Sequence, residues 1–245
     1  METYSLLSTS WWSILGKIIQ IFSKRGDGFS AYLARPSTHK GSAIVLLSDL
    51  VVLDPWIIKT ADIFAKNGYL ACAPDLYWQS LSSVVADKTK EGEYLQVINS
   101  YSKLDQDTTL GDIECVFNTI KSHSGCNGKI AILGFSEGGT LSFLTAARLN
   151  PDAAIAYYAT HIHDHLHEGK HINCQTILHM GKNDHYITKE NTQKIHAALI
   201  GKFNIAIYQY QAGHGFANSE NVEMFNPEAK ALSFQRTFEL LDSLK

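Results

Sequence analysis

The hexapeptide Gly134-Phe-Ser-Glu-Gly-Gly139 directly follows the apolar run Lys129–Leu133. A serine with glycine two residues away on either side can occupy the tip of a sharp strand-to-helix turn, its backbone strained and its Oγ exposed. The helix N-terminus behind it favours negative charge developing nearby. A serine hydroxyl is a poor nucleophile until a histidine takes its proton and a carboxylate orients that histidine. Two later residues fit those roles. Asp184 ends Gly181-Lys-Asn-Asp184, just after an apolar run closing in His179-Met180. His214 lies in Ala212-Gly-His-Gly215, after the run Asn204–Tyr208, where small neighbours let the ring reach a crevice. Ser136, Asp184 and His214 are therefore the candidate nucleophile, acid and base of an acyl-transfer site. His185 adjoins Asp184, but an adjacent side chain tends to point away from the site. Asp152 precedes its strand and belongs at the other end of the sheet. A tetrahedral oxyanion needs two preorganised donors. The backbone N–H of Glu137 is one candidate, and the second is expected from Ser48-Asp49-Leu50-Val51.

The elements that must position these residues alternate between strand and helix. Lys17–Ser23 and Phe29–Ala34, joined across Gly26-Asp27-Gly28, predict an N-terminal β-hairpin. Ala43–Leu47 is continuously apolar, as a strand covered on both faces should be. Asp54-Pro55 reads as an N-cap and first helical residue, Ile58, Ala61, Phe64 and Ala65 share a stripe, and Gly68 is placed to end the helix. Further strands are expected at Tyr69–Ala73, Lys129–Leu133, Ala153–Tyr158, Gln175–His179 and Asn204–Tyr208. Further helices are expected at Thr108–Lys121, Glu137–Leu149 and Thr188–Leu199. A last one, capped by Asn226-Pro227, should carry Ala231, Phe234, Phe238 and Leu241 on one face. This alternation predicts an α/β fold: a mainly parallel twisted sheet with helices on both faces, and a crevice beyond the carboxyl ends of its strands. Without repeats or linkers, residues 1–245 read as a single domain. Tyr77–Asp105 is too long for a plain connection; Tyr94, Val97, Ile98 and Tyr101 have helical spacing, as in a flap over the crevice or an added surface helix.

Composition sets the outer limits. Of 245 residues, 45% are hydrophobic and 18% charged, with 21 basic against 24 acidic side chains and a net charge of −3. That is ordinary globular composition without a basic footprint, so nucleic acid is not expected as a partner. No run reaches the ~18 apolar residues of a membrane span, and the N-terminal apolar residues lack the basic start and cleavage site of a leader. A cytoplasmic protein is expected, its four cysteines reduced.

Four blocks together resemble the dienelactone hydrolase family of the α/β-hydrolase superfamily: Gly68–Trp78, the Ser136 elbow, Leu178–Ile187 and Ala212–Ala217. The likeness runs from the hairpin at Asp27–Pro36 to Asn226–Ala229. It implies an α/β-hydrolase fold, Ser136, Asp184 and His214 in the triad positions, and the Leu50 and Glu137 amides as the oxyanion hole. It also implies a small-molecule ester or lactone as substrate and no cofactor. The family's best-known members use cysteine where Ser136 stands, and many carry His-Glu in place of Ser48-Asp49. The dienelactone enzymes hold a substrate carboxylate with arginines, one of them shortly after the histidine, where this chain has Phe216-Ala-Asn218.

Asp49, Tyr77, Trp78 and Tyr158 are candidate substrate-binding residues. The aromatics, with Tyr157, suit an apolar acyl or aryl group or simply close off the core. His161-Ile-His-Asp-His-Leu-His167 and His171 follow a strand and should lie on the same rim. As alternating histidines on an extended segment they could take Zn²⁺ or Ni²⁺, though a solvated polar loop needs no metal and none is expected. A metal-assisted hydrolase and a non-catalytic binding protein that keeps the fold are the alternative readings. The oligomeric state is not legible.

Overall fold

The computed structural model describes residues 16–49, 53–79 and 105–245. Strands β1 (Gly16–Phe22) and β2 (Gly28–Ala34) form the expected antiparallel hairpin, and Gly26, at φ 91°, makes its turn. β2 also pairs antiparallel with β4 (Leu70–Pro74). From there the sheet is parallel through β3 (Gly41–Leu47), β5 (Cys126–Phe135), β6 (Ala153–Tyr157), β7 (Gln175–Gly181) and β8 (Ile205–Tyr210). The eight strands lie in the order β1-β2-β4-β3-β5-β6-β7-β8.

Helices cover both faces, and the strands show why. Ala43, Val45 and Leu47 of β3 face one core together with α2 (Gln106–Lys121), α3 (Glu137–Arg148) and α4 (Lys189–Leu199). Ile44 and Leu46 face a second core with α1 (Pro55–Lys66) and α5 (Pro227–Asp242). A continuously apolar strand is the sequence's answer to being buried twice. Local chemistry starts the helices: Asp54, Asp105, Thr188 and Asn226 each accept a hydrogen bond from the backbone N–H three residues on. Each such cap stabilises its helix by about 1 kcal/mol. The four cysteines are free thiols. Among the described residues no helix is long and apolar enough to cross a membrane.

Two expectations fail. Ala231 does not join the inner face of α5; Ser233 and Thr237 are buried there with Ala229, Phe234 and Leu241. Polar residues can occupy that face because Thr237 has hydroxyl and imidazole partners beneath the sheet (Tyr157 Oη at 2.7 Å, His179 Nε2 at 3.1 Å). The histidine-rich segment is not extended either. Ile162–Asp164 and Leu166–His171 are 3₁₀ turns, drawn inward by buried Ile162 and followed by buried Ile172. The expected helix across Tyr94–Tyr101 lies outside the described residues.

Along the chain, the step from β3 to β4 runs toward one edge of the sheet, and β5 then returns to the other side of β3. That reversal opens the crevice of such sheets beyond the carboxyl ends of the two strands flanking it. Ser48-Asp49 leaves β3 there, and Ser136 leaves β5.

Candidate active site

Ser136 sits between β5 and α3 with φ 53° and ψ −116°, a conformation that L-residues rarely adopt. The strain is held from both sides. Its N–H donates to the Tyr157 carbonyl at 2.9 Å, and its own carbonyl accepts from Gly139 N at 3.0 Å. The glycines are obligatory by space: a Cβ on Gly134 would run into the Gly138 backbone, and one on Gly138 into the carbonyls of Leu47 and Ser48. The turn therefore folds the start of α3 back onto the end of β5 at Gly134 and packs it on the end of β3 at Gly138, leaving no room for a side chain at either position.

The Ser136 Oγ lies 2.9 Å from His214 Nε2, and His214 Nδ1 lies 2.8 Å from Asp184 Oδ2. An ionised carboxylate only accepts, so the ring proton belongs on Nδ1, and Nε2 is left to accept the serine proton. The other Asp184 oxygen accepts from the backbone N–H groups of Tyr186 (2.9 Å) and Ile187 (3.3 Å), which fix the carboxyl plane. The Asp184 side chain is fully buried and that of His214 nearly so. Backbone bonds bring acid and base together: Lys182 N–H donates to the Tyr210 carbonyl, and Asn183 N–H to that of Ala212. The loops after β7 and β8 are thus tied to each other. His185 and Asp152 take no part. The first stacks on exposed Tyr186, and the second binds Lys129 and the Ile130 amide at the far end of β5.

Two tyrosines hold the imidazole edge-on, Tyr158 at 4.9 Å and Tyr186 at 4.7 Å between ring centroids. Tyr186 was missed in the sequence, where it reads as a polar-loop residue; its place two residues after Asp184 is the available signal. Tyr158 is buried at φ 36°. Burial first, then the charge of Asp49, pushes its hydroxyl well above the ordinary tyrosine pKa. Tyr77 is raised in the same way by burial and then by Glu137, Asp49 and Asp75. Asp49 thus lies within electrostatic reach of both aromatics. Trp78 turns elsewhere: its ring stacks on Phe29 and its N–H donates to Asp112 of α2 at 2.9 Å. Tyr157 belongs to the core, with its hydroxyl on Thr237.

Glu137 opens α3, so its amide lies in the first helical turn, at the positive end of the helix dipole. Leu50, the expected second donor, lies outside the described residues. The Glu137 side chain adds something sequence reasoning did not find. Its buried Oε2 accepts from Thr160 Oγ1 at 2.9 Å and from His161 Nδ1 at 2.7 Å. The remaining histidines of that segment do not converge, and among the described residues no group of three or more His, Cys, Asp or Glu is arranged to hold a metal.

The family model of the dienelactone hydrolase family matches residues 29–244. Carboxymethylenebutenolidase 1 of Cupriavidus pinatubonensis is 29% identical over 227 residues, spanning 93% of this chain and 97% of its own. A carboxymethylenebutenolidase of Pseudomonas putida is 26% identical, spanning 93% and 96%. Among solved structures, a dienelactone hydrolase-like promiscuous phosphotriesterase from metagenomic libraries superposes with a TM-score of 0.78 at 15% identity, over 94% of this chain and 99% of that one. The Pyrococcus furiosus esterase Pf2001 superposes with a TM-score of 0.70 at 14% identity, over 100% and 99%. These two show the fold alone. With a match that begins inside the hairpin and runs to the end of the last helix, the chain belongs to the dienelactone hydrolase family.

Proposed function

We propose that this protein hydrolyses carboxylic esters or lactones through an acyl-enzyme on Ser136. The observation that carries the reading is the unbroken hydrogen-bonded line from the Ser136 hydroxyl through His214 to buried Asp184, set on a strained elbow. His214 Nε2 takes the Oγ proton as Oγ adds to the carbonyl carbon. Asp184 keeps the imidazole oriented and stabilises the imidazolium. The Glu137 and Leu50 amides receive the oxyanion, and each such donor is worth on the order of 3 kcal/mol of barrier. Collapse of the adduct expels the alcohol oxygen, which takes the proton from His214. Water then repeats the sequence on the acyl-enzyme, giving the acid and restoring the serine hydroxyl. Every proton passes through one imidazole, so the chemistry calls for no cofactor.

Lactones enter the reading through the relatives named carboxymethylenebutenolidase. The stretch after His214 supplies no cation to grip an anionic substrate, since Phe216 and Ala217 are fully buried apolar residues. Uncharged esters and lactones are therefore the favoured class. Tyr77, Tyr158 and Asp49 line their approach to Ser136, and Trp78 supports β2 and α2 from behind. Ser136→Ala tests the assignment: turnover of p-nitrophenyl esters and labelling by a fluorophosphonate should both vanish. A variant that retains burst kinetics would refute it.

A further inference from the structure

Glu137 brings a buried carboxylate next to the nucleophile, although the hydrolysis proposed above uses only its amide. Its side chain is 6% exposed, and it turns into the loop that follows β6. Two neighbouring residues of that loop, Thr160 and His161, donate to the same oxygen, and the backbone N–H of His161 donates to Thr140 Oγ1 on α3 at 3.1 Å. The loop begins with Tyr158, whose ring meets His214. One short segment therefore touches the base at one end and the residue of the proposed oxyanion donor at the other. A carboxylate only accepts, so His161 carries its Nδ1 proton toward Glu137 in either charge state. The contact survives titration, and what titration changes is the charge.

We infer that His161 is a positioning residue: with Thr160 it clamps the Glu137 carboxylate, and in its imidazolium form it offsets that charge beside the site where the carbonyl oxygen turns anionic. The inference rests on Ser136 being the nucleophile. A negative charge beside a developing oxyanion opposes it; burial of Ser136 and Glu137 strengthens that effect, while water partly screens the half-exposed His161 ring. Titratable groups face His161 from each neighbouring element. Glu137 comes from α3. Asp164 and His163 come from the adjoining 3₁₀ turn, with the His163 ring centroid 6.2 Å away. Tyr77 and His165, like His161, feel the Glu137 charge, and Asp49 and Asp75 act on Tyr77. The hydrogen bond to Glu137, reinforced by the charges of Glu137 and Asp164, raises the His161 pKa above its ordinary 6.5 against the opposing effect of burial. His161 therefore keeps its proton to higher pH than an unperturbed imidazole.

The expected signature is an alkaline decline in kcat that a plain serine hydrolase lacks, set by the His161 proton. For an uncharged p-nitrophenyl ester, kcat should fall roughly tenfold as that proton is lost, with KM little changed. His161→Gln keeps a donor but no titratable charge. It should run at the lowered rate across the whole range and meet the wild-type curve at alkaline pH. Glu137→Gln keeps the backbone amide and removes the charge to be offset, so its kcat should be raised at alkaline pH, and the decline, still set by the His161 proton, should move to lower pH. Histidine-ring NMR reads the same pair without turnover: the His161 midpoint should lie above 6.5 and drop in Glu137→Gln. A wild-type profile without an alkaline decline, a decline that persists in His161→Gln, or a midpoint indifferent to Glu137→Gln would each overturn the inference. Ser136→Ala, run alongside, separates the two readings. If it retains turnover, the serine mechanism fails. If it is dead while His161→Gln keeps the wild-type pH profile, only the role of His161 fails.

Discussion

Among the described residues two buried imidazoles each bridge oxygen partners, and only one has the partners that the proposed hydrolysis needs. At the rim His214 bridges the Ser136 hydroxyl and the Asp184 carboxylate. On the α5 side of the sheet His179 bridges the Tyr210 hydroxyl at 2.7 Å and Thr237 at 3.1 Å, and Thr237 in turn meets Tyr157. The lower array has no carboxylate. Arg236 donates to the Tyr210 oxygen, which leaves the Tyr210 O–H to donate to His179 Nδ1 and places the ring proton on Nε2. Burial, and after it the charge of Arg236, holds the His179 pKa down to about 3. A histidine that stays neutral while fully satisfied by hydroxyls organises a core. One backed by a carboxylate and facing a strained hydroxyl can accept a proton and keep it.

The sharpest way to break the contrast is Asp184→Asn, which makes the rim array as neutral as the lower one. An amide can present an N–H to the ring and select the wrong tautomer, so kcat should fall about a thousandfold or more while the fold persists. Near-normal turnover in steady-state assays would mean that the carboxylate is not what distinguishes the two arrays. His179→Leu is the reciprocal change. It strips partners from Tyr210 and Thr237, at about 1–3 kcal/mol for each group left unsatisfied, and should show in denaturant melts with kcat intact. The pH dependence carries its own sign. His179 takes up a proton near 6.5 when unfolded but only near 3 when folded, so its contribution is full above 6.5 and is lost as pH falls toward 3. The slope is about 1.4 kcal/mol per pH unit, and it should flatten in His179→Leu; an unchanged acid limb would assign the loss to other groups. The smallest effect is expected from Tyr186→Ala, which removes one of the two rings that hold His214. With an aromatic pair worth about 0.5–1.5 kcal/mol, kcat should drop several-fold with little loss of stability. A fall as large as that of Asp184→Asn would make the ring more than a lateral support.

How much of this the sequence disclosed follows from which interactions leave a local trace. The hairpin, β3, the elbow and the loops holding Asp184 and His214 were legible because glycine spacing, caps and apolar runs are properties of neighbours in the chain. Thr237 on the inner face of α5 was not, since its warrant is a hydroxyl and imidazole network more than fifty residues away in sequence. The same holds for Glu137, whose partners Thr160 and His161 sit on another loop. The alternation His-Ile-His-Asp-His mimicked an extended segment, whereas the structure winds it into 3₁₀ turns with Ile162 buried. The contacts of Trp78 left no trace either, since its ring stacks on Phe29 of β2 and packs against the core shared by α2, α3 and α4.

The tie between the loops after β7 and β8 uses only main-chain groups of residues 182, 183, 210 and 212. Substitution of exposed Lys182 or Asn183, short of proline, leaves the tether standing. The distance from Asp184 to His214 is thereby insulated from side-chain drift at those two exposed positions, so they can vary without the buried pair having to be re-aligned each time.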